Sequence, residues 1–321
     1  MKAWGFTGPQ QPLRVVERPP PVAGAGEVVI DVKAAGLCHS DVGILEGPGA
    51  AWLRHTPIIL GHEVAGIISS IGAGVCDFRV GDRVAINPMF GVGKDPSDGN
   101  APGTGRDGGY AQRILAYPAE LVRIPDRVSF QQAAPVTDAG MTSWHAIRVA
   151  GAARNGTRLG IVGLGGLGLI GARAAVLAGA EVYGVDLKTE LFPLARELGV
   201  QQCFTKVGAL APLELDLIVD FAGMGSTTAD AVAAVGYHQG RVVLVGLGRE
   251  QATIPTFALA LKQVQLIGSC GGTSQDISEL FAMIDGGKLE ISATSIAFDE
   301  IGEGLGRLQR GEVQGRLVAL L

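Results

Sequence analysis

The chain has 321 residues, 47% of them apolar and 18% charged, with a formal net charge of −5. That balance excludes a disordered chain and leaves room for two domains with a large core. Slight acidity with no basic stripe excludes a nucleic-acid binder, and 49 glycines, about twice the usual share, predict many tight turns.

The first residues carry no apolar core of a secretory leader. Every apolar stretch is broken by Gly, Arg or Asp within 20 residues, so no membrane span is expected. Residues 28–34, 63–71, 80–86 and 110–115 are apolar or alternating runs between Gly and Pro turns. They predict a β-rich first 135 residues, with an irregular loop at 87–109. From about residue 157 the texture changes. Strands are predicted at 158–162, 181–186, 215–221 and 241–245, and helices at 166–178 and 189–198. Strands alternating with helices imply a parallel sheet covered on both faces. The tail from about 271 adds a helix (275–285), a strand (291–298), a helix (300–309) and a last strand (315–321). The four cysteines, Cys38, Cys76, Cys203 and Cys270, lie far apart, which points to no disulfide framework and to a reducing cytoplasm.

Gly163-Leu164-Gly165-Gly166-Leu167-Gly168 fits the G-x-G-x-x-G pattern. In so glycine-rich a chain, about one match is expected by chance, and a second does occur at Gly103-Thr104-Gly105-Arg106-Asp107-Gly108. Context separates the two. The second lies in the irregular loop. The first follows a strand, opens a helix, and is followed 18 residues past Gly168 by Asp186 at the end of the next strand. Gly163 permits the turn, Gly165 lets a pyrophosphate approach the backbone, and Gly168 lets helix and strand pack closely. Asp186 can accept hydrogen bonds from the adenosine ribose and would repel a 2′-phosphate. NAD is therefore favoured over NADP, although Lys188 stands nearby.

Near the start, Gly36-Leu37-Cys38-His39-Ser40-Asp41 and Gly61-His62-Glu63 gather a thiol, two imidazoles, a hydroxyl and two carboxylates. Taken singly, such a Cys or His is more often a buried hydrophobe or a hydrogen-bonded core group than a ligand. Together with Val80-Gly81-Asp82-Arg83-Val84 and the nucleotide motif, in this order, they resemble the zinc-dependent alcohol dehydrogenases of the medium-chain dehydrogenase/reductase superfamily. The resemblance spans nearly the whole chain. It implies an α/β protein with a GroES-like β-rich catalytic domain (1–140 and 271–321) and a Rossmann NAD-binding domain (141–270).

The resemblance also implies one catalytic zinc held by Cys38, His62 and Asp138. Asp138 stands where the family usually has a third-ligand Cys, a replacement that keeps the formal charge. Ser40 resembles the hydroxyl that passes the substrate proton, and Asp41 the carboxylate that orients His62. Glu63 resembles the acid beside the zinc that can ligate transiently. His39 and Arg316 resemble the pyrophosphate-contacting basic residues, and Thr142, Leu167 and Val245 those packed around the nicotinamide. Trp52, Pro88 and Met89 are candidates to face the substrate. His55 and His145 are read as structural or surface groups, and His238 as exposed.

Two departures stand out. Residues 87–109 contain no Cys, so the second, structural zinc of many relatives has no ligands here. Gly43 occupies the position at which many relatives place a His that completes the proton relay. The implied reaction is hydride transfer between a secondary alcohol and NAD, in a cleft between the domains of a homodimer or homotetramer. A zinc-free NADPH-dependent quinone or enoyl reductase and a non-catalytic nucleotide sensor are the rival readings. The Cys/His pair, Ser40 and Asp186 argue against both.

Overall fold

The structure is a computed structural model that describes residues 1–89, 100–237 and 239–321. The chain divides into two compact units, Met1–Asp138 with Thr273–Leu321, and Ala139–Gly272.

The first unit is built on a mostly antiparallel seven-stranded sheet. Its order is Ala293–Ala297, Arg316–Leu320, Val28–Leu37, Glu63–Ile71, Arg83–Ile86, Leu121–Arg123, with Arg113–Ala116 also paired to Val28–Leu37. A smaller sheet joins Arg14–Glu17, Lys2–Phe6 and Ile58–Ile59. Phe6, Ile30, Leu37, Ile44, Ile58, Tyr110 and Leu317 belong to one buried cluster, so the C-terminal strand shares the core of the N-terminal ones.

Several predicted elements shift for local reasons. The run at 80–86 is a strand only over Arg83–Ile86, because Gly81, with φ of 96°, turns the chain ahead of it. The strand expected from 110 starts at Arg113. The N–H groups of Gly108, Gly109 and Tyr110 instead donate to the carbonyls of Ile59, Gly61 and Leu60 at 2.7, 2.7 and 3.0 Å. The β-rich segment also holds helices that the pattern did not announce, His39–Glu46 and Phe130–Pro135. Part of the expected 87–109 loop, and His238, lie outside the described residues.

The second unit carries six parallel strands in the spatial order Gln202–Phe204, Glu181–Val185, Arg158–Val162, Leu217–Asp220, Arg241–Leu244, Gln265–Gly268. Numbered along the chain this is 3-2-1-4-5-6, the dinucleotide-binding order, with its switch point beside Arg158–Val162. Leu159 and Ile161 pack into one buried cluster and Val162 into another, so the sheet is covered on both faces. Between the first two strands runs the helix Gly166–Leu177.

Gly163, with φ of 90°, makes the turn out of the strand. A Cβ on Gly165 would meet nothing within 4 Å, whereas one on Gly168 would lie 1.8 Å from the Gly163 carbonyl oxygen. Gly168→Ala therefore has to push helix from strand. We expect it to cost about 3 kcal/mol, the upper end for overpacking against backbone, read as a lower denaturation midpoint at unchanged m-value.

Candidate metal and cofactor sites

Two short sequence motifs meet because their strands pair. Gly36 lies opposite Glu63 in the register of Val28–Leu37 with Glu63–Ile71. On the other side of the same strand, Leu37 pairs with Leu317, one residue after Arg316. Gly36 thus sits between an acid and a base on neighbouring strands. A Cβ there would come within 1.8 Å of Glu63 Oε2, so only Gly leaves room for the Glu63 side chain. Arg316 Nη2 donates to Glu63 Oε1, and both side chains are almost wholly buried, at 3% and 0% exposure.

Just past the strand, Cys38 caps the helix His39–Glu46, and its N–H donates to Asp41 Oδ2 at 3.3 Å. The third candidate ligand comes from a wide π-helical turn over Val136–Gly140. Pro135 ends the regular helix there because it has no N–H to donate, and the Thr137 hydroxyl donates to the Ala134 carbonyl at 2.7 Å. Asp138 is in that turn.

The ligand atoms of Cys38, His62, Glu63 and Asp138 all lie within 4.8 Å of one another. Asp138 Oδ2 stands 3.2 Å from Cys38 Sγ and 3.5 Å from His62 Nε2. Ligands on a tetrahedral zinc with bonds of 2.0–2.3 Å stand roughly 3.3–3.8 Å apart, so the two edges that meet at Asp138 are close to zinc spacing, and the third, Cys38 to His62, is within 4.8 Å. Asp41 Oδ1, buried and without a hydrogen bond, lies 3.5 Å from His62 Nδ1. A carboxylate oxygen beside Nδ1 favours a proton there, which leaves Nε2, on the Asp138 side, as the nitrogen for a metal. Buried Glu63 Oε2 also lacks a partner. One thiolate, one imidazole and carboxylates suit zinc.

The electrostatics follow from this crowding. Burial works against a charged imidazole, yet Asp41 and Asp138, with Cys38 beside them, carry the His62 pKa well above its ordinary range. Burial on its own would raise the Asp138 pKa, but His62, Arg316 and Glu63 hold it well below the carboxylate range. Glu63 moves well up, through burial first and then through Asp138 and Cys38, against the pull of Arg316. A proton on His62 and a metal ion therefore compete for one place.

The other predicted residues fall as follows. Ser40 Oγ lies 3.6 Å from Cys38 Sγ and is half-buried, while His39 is exposed on the first turn of the helix. Arg316, expected beside the pyrophosphate, gives Nη2 to Glu63, because a buried carboxylate without a cation is costly, while its buried Nε has no partner among the described residues. In the second unit, Asp186 accepts from Leu164 N at 2.7 Å through Oδ2 and from Lys188 N at 2.9 Å through Oδ1. Thr142 and Val245 are buried, and the Leu167 carbonyl accepts from Ser143 Oγ at 2.9 Å. Trp52 is 49% exposed, Pro88 is buried and Met89 half-buried. His55 is exposed, with Nδ1 3.0 Å from the Pro57 carbonyl, and His145 is half-buried in the helix Met141–His145. Tyr110, which the sequence did not single out, is fully buried and donates to Asp41 Oδ2 at 2.7 Å.

Residues 24–126 match the alcohol dehydrogenase GroES-like domain, and residues 166–286 match the zinc-binding dehydrogenase family. An alcohol dehydrogenase from Geobacillus stearothermophilus is 32% identical over 96% of this chain and 96% of its own. The chain belongs to the zinc-binding alcohol dehydrogenases. Solved relatives of this dehydrogenase include an alcohol dehydrogenase from Aeropyrum pernix, 28% identical with a TM-score of 0.91, each chain covered in full. Another is an acetophenone reductase from Geotrichum candidum in complex with NAD. It is 30% identical with a TM-score of 0.89, covering 100% of this chain and 97% of that one.

Asp138→Ala in this dehydrogenase removes one corner of the ligand triangle. Zinc affinity should fall by more than the roughly 10–100-fold that loss of an outer partner costs, while NADH binding stays close to wild type. Metal content after dialysis and NADH fluorescence titration check the two halves. Zinc retained at full affinity would mean that Asp138 is not the third ligand.

Proposed function

We propose that this chain is an NAD-dependent zinc alcohol dehydrogenase acting on secondary alcohols and, in reverse, on ketones. The observation that carries the reading is the Cys38–His62–Asp138 cluster, with Asp138 Oδ2 3.2 Å from Cys38 Sγ and 3.5 Å from His62 Nε2 and Asp41 behind His62. The Geotrichum relative, an acetophenone reductase in complex with NAD, supports the ketone class and the cofactor.

Zinc, when bound, supplies the Lewis acidity that makes an alcohol hydroxyl acidic or a carbonyl electrophilic, and NAD supplies the hydride acceptor. The chain supplies the rest. Cys38, His62 and Asp138 hold the metal, and Asp41 fixes the His62 tautomer. Ser40 Oγ, beside Cys38, takes the hydroxyl proton and passes it outward, a route that ends without a His because position 43 is Gly. Glu63, with one oxygen unpartnered, is the acid available when ligands exchange.

The turn Gly163–Gly168 and the N-terminus of Gly166–Leu177 hold the pyrophosphate. Thr142, Leu167 and Val245 pack around the nicotinamide, and His39 and Arg316 contact the pyrophosphate. Each Asp186 oxygen, already fixed by one backbone N–H, keeps a further lone pair for the ribose hydroxyls.

The edge strand Gln265–Gly268 is largely exposed, and Phe257, Leu261 and Leu266 near it are 80%, 61% and 39% exposed. Such an apolar sheet edge supports pairing with a second copy, giving a homodimer or a dimer of dimers. Four free cysteines support residence in the reducing cytoplasm. Among the described residues, no helix is long and apolar enough to cross a membrane.

The purified protein is expected to hold about one zinc per subunit and to lose secondary-alcohol oxidation when a chelator strips it, with recovery on re-addition. Full activity in the stripped protein would sink the zinc reading. Asp186→Ala should raise the KM for NAD about tenfold or more, the worth of a hydrogen bond to a charged acceptor, and narrow the preference over NADP. An unchanged NAD/NADP ratio of kcat/KM would remove Asp186 from the ribose site.

A further inference from the structure

Tyr110 is fully buried and lies outside the ligand set, yet its hydroxyl reaches the site. It lies 2.7 Å from Asp41 Oδ2 and 3.3 Å from the Gly36 carbonyl. A phenol has one proton to give, and the shorter, charge-assisted bond takes it. Asp41 Oδ2 is then filled by Tyr110 and by the Cys38 N–H at 3.3 Å. Its other oxygen, Oδ1, has no hydrogen bond and faces His62 Nδ1 at 3.5 Å.

The ring cannot wander. Tyr110 N donates to the Leu60 carbonyl at 3.0 Å, and Gly109 N to the Gly61 carbonyl at 2.7 Å. The ring itself fills the space where a side chain on residue 61 would stand, since a Cβ on Gly61 would lie 2.5 Å from Tyr110 Cδ1. Burial, with Asp41 next, pushes the phenol pKa well above its usual value, so the group stays a donor.

We propose that Tyr110 is a positioning residue for the catalytic metal. Its hydroxyl pins Asp41 so that Oδ1, and only Oδ1, is presented to the ligating His62. This rests on the zinc reading above. It adds a residue that a packing role alone would not require, because phenylalanine would fill the same space.

The test uses zinc-loaded full-length enzyme carrying Tyr110→Phe. Zinc release into a chromophoric chelator should speed up by about tenfold, within the range seen when partners behind a metal ligand are lost. The cobalt-substituted protein should show displaced visible bands. The kcat should fall with little change in the KM for alcohol, at a thermal midpoint close to wild type. In an Asp41→Asn background the same substitution should change zinc release less than twofold, because Tyr110 acts through Asp41.

Wild-type release with unmoved cobalt bands, or an undiminished effect in the Asp41→Asn background, overturns the proposal. If Tyr110→Phe folds poorly, 3-fluorotyrosine at position 110 keeps the ring and changes only donor acidity. Zinc release must then differ from that of the tyrosine form, and equal rates overturn the proposal. A wild-type chain that takes up no zinc removes the metal reading together with this one. A zinc-loaded chain indifferent to Tyr110→Phe removes this one alone.

Discussion

A carboxylate with no exposed surface must be answered by its neighbours, and the answer given to Asp41 organises the first unit. Asp41 sits in the first turn of His39–Glu46, where it closes back on the Cys38 N–H and helps to set where that helix begins. Its second oxygen faces His62 from the adjacent strand. The Tyr110 hydroxyl completes the set from a third segment. One buried group thus ties together a helix start, a strand start and a loop end, and the Cys38–His62–Asp138 cluster gathers beside it. Removing the carboxylate would leave the buried phenol only its longer contact to the Gly36 carbonyl and would take the negative charge from beside the imidazole.

A second buried charge obeys the same logic by a different route. Glu63 and Arg316 come from strands on either side of Val28–Leu37, and Gly36 between them supplies no side chain. The ion pair lies over that gap. It brings a positive charge into a cluster otherwise rich in thiol and carboxylate, and so offsets the repulsion that a metal would otherwise have to overcome alone. The C-terminal segment is therefore part of the site as well as of the core.

Much of this was legible in the sequence, for identifiable reasons. Strands such as Glu63–Ile71 and Arg158–Val162 are apolar runs bounded by turn residues, and they emerge as the pattern draws them. Cys38, His62 and Asp138 stood out because thiol, imidazole and carboxylate are chemically marked residues in motifs of high joint specificity. The helix His39–Glu46 did not stand out, since eight residues burying only Asp41, Val42 and Ile44 make too little periodic signal. Tyr110 was hidden because its partner is 69 residues away, and Arg316 pairs with Glu63 across 253. Contacts so distant depend on strand register, which composition and local spacing do not encode.

The glycine-rich stretch that mimics a nucleotide motif has its own purpose. A Cβ on Gly103 or on Gly108 would lie 2.9 or 2.3 Å from the backbone of Gly61. The loop is thus laid main chain against main chain on the residue that precedes His62, two positions before it delivers Tyr110. Any sequence change in this loop therefore also reaches the main chain that seats Tyr110 and leads into His62.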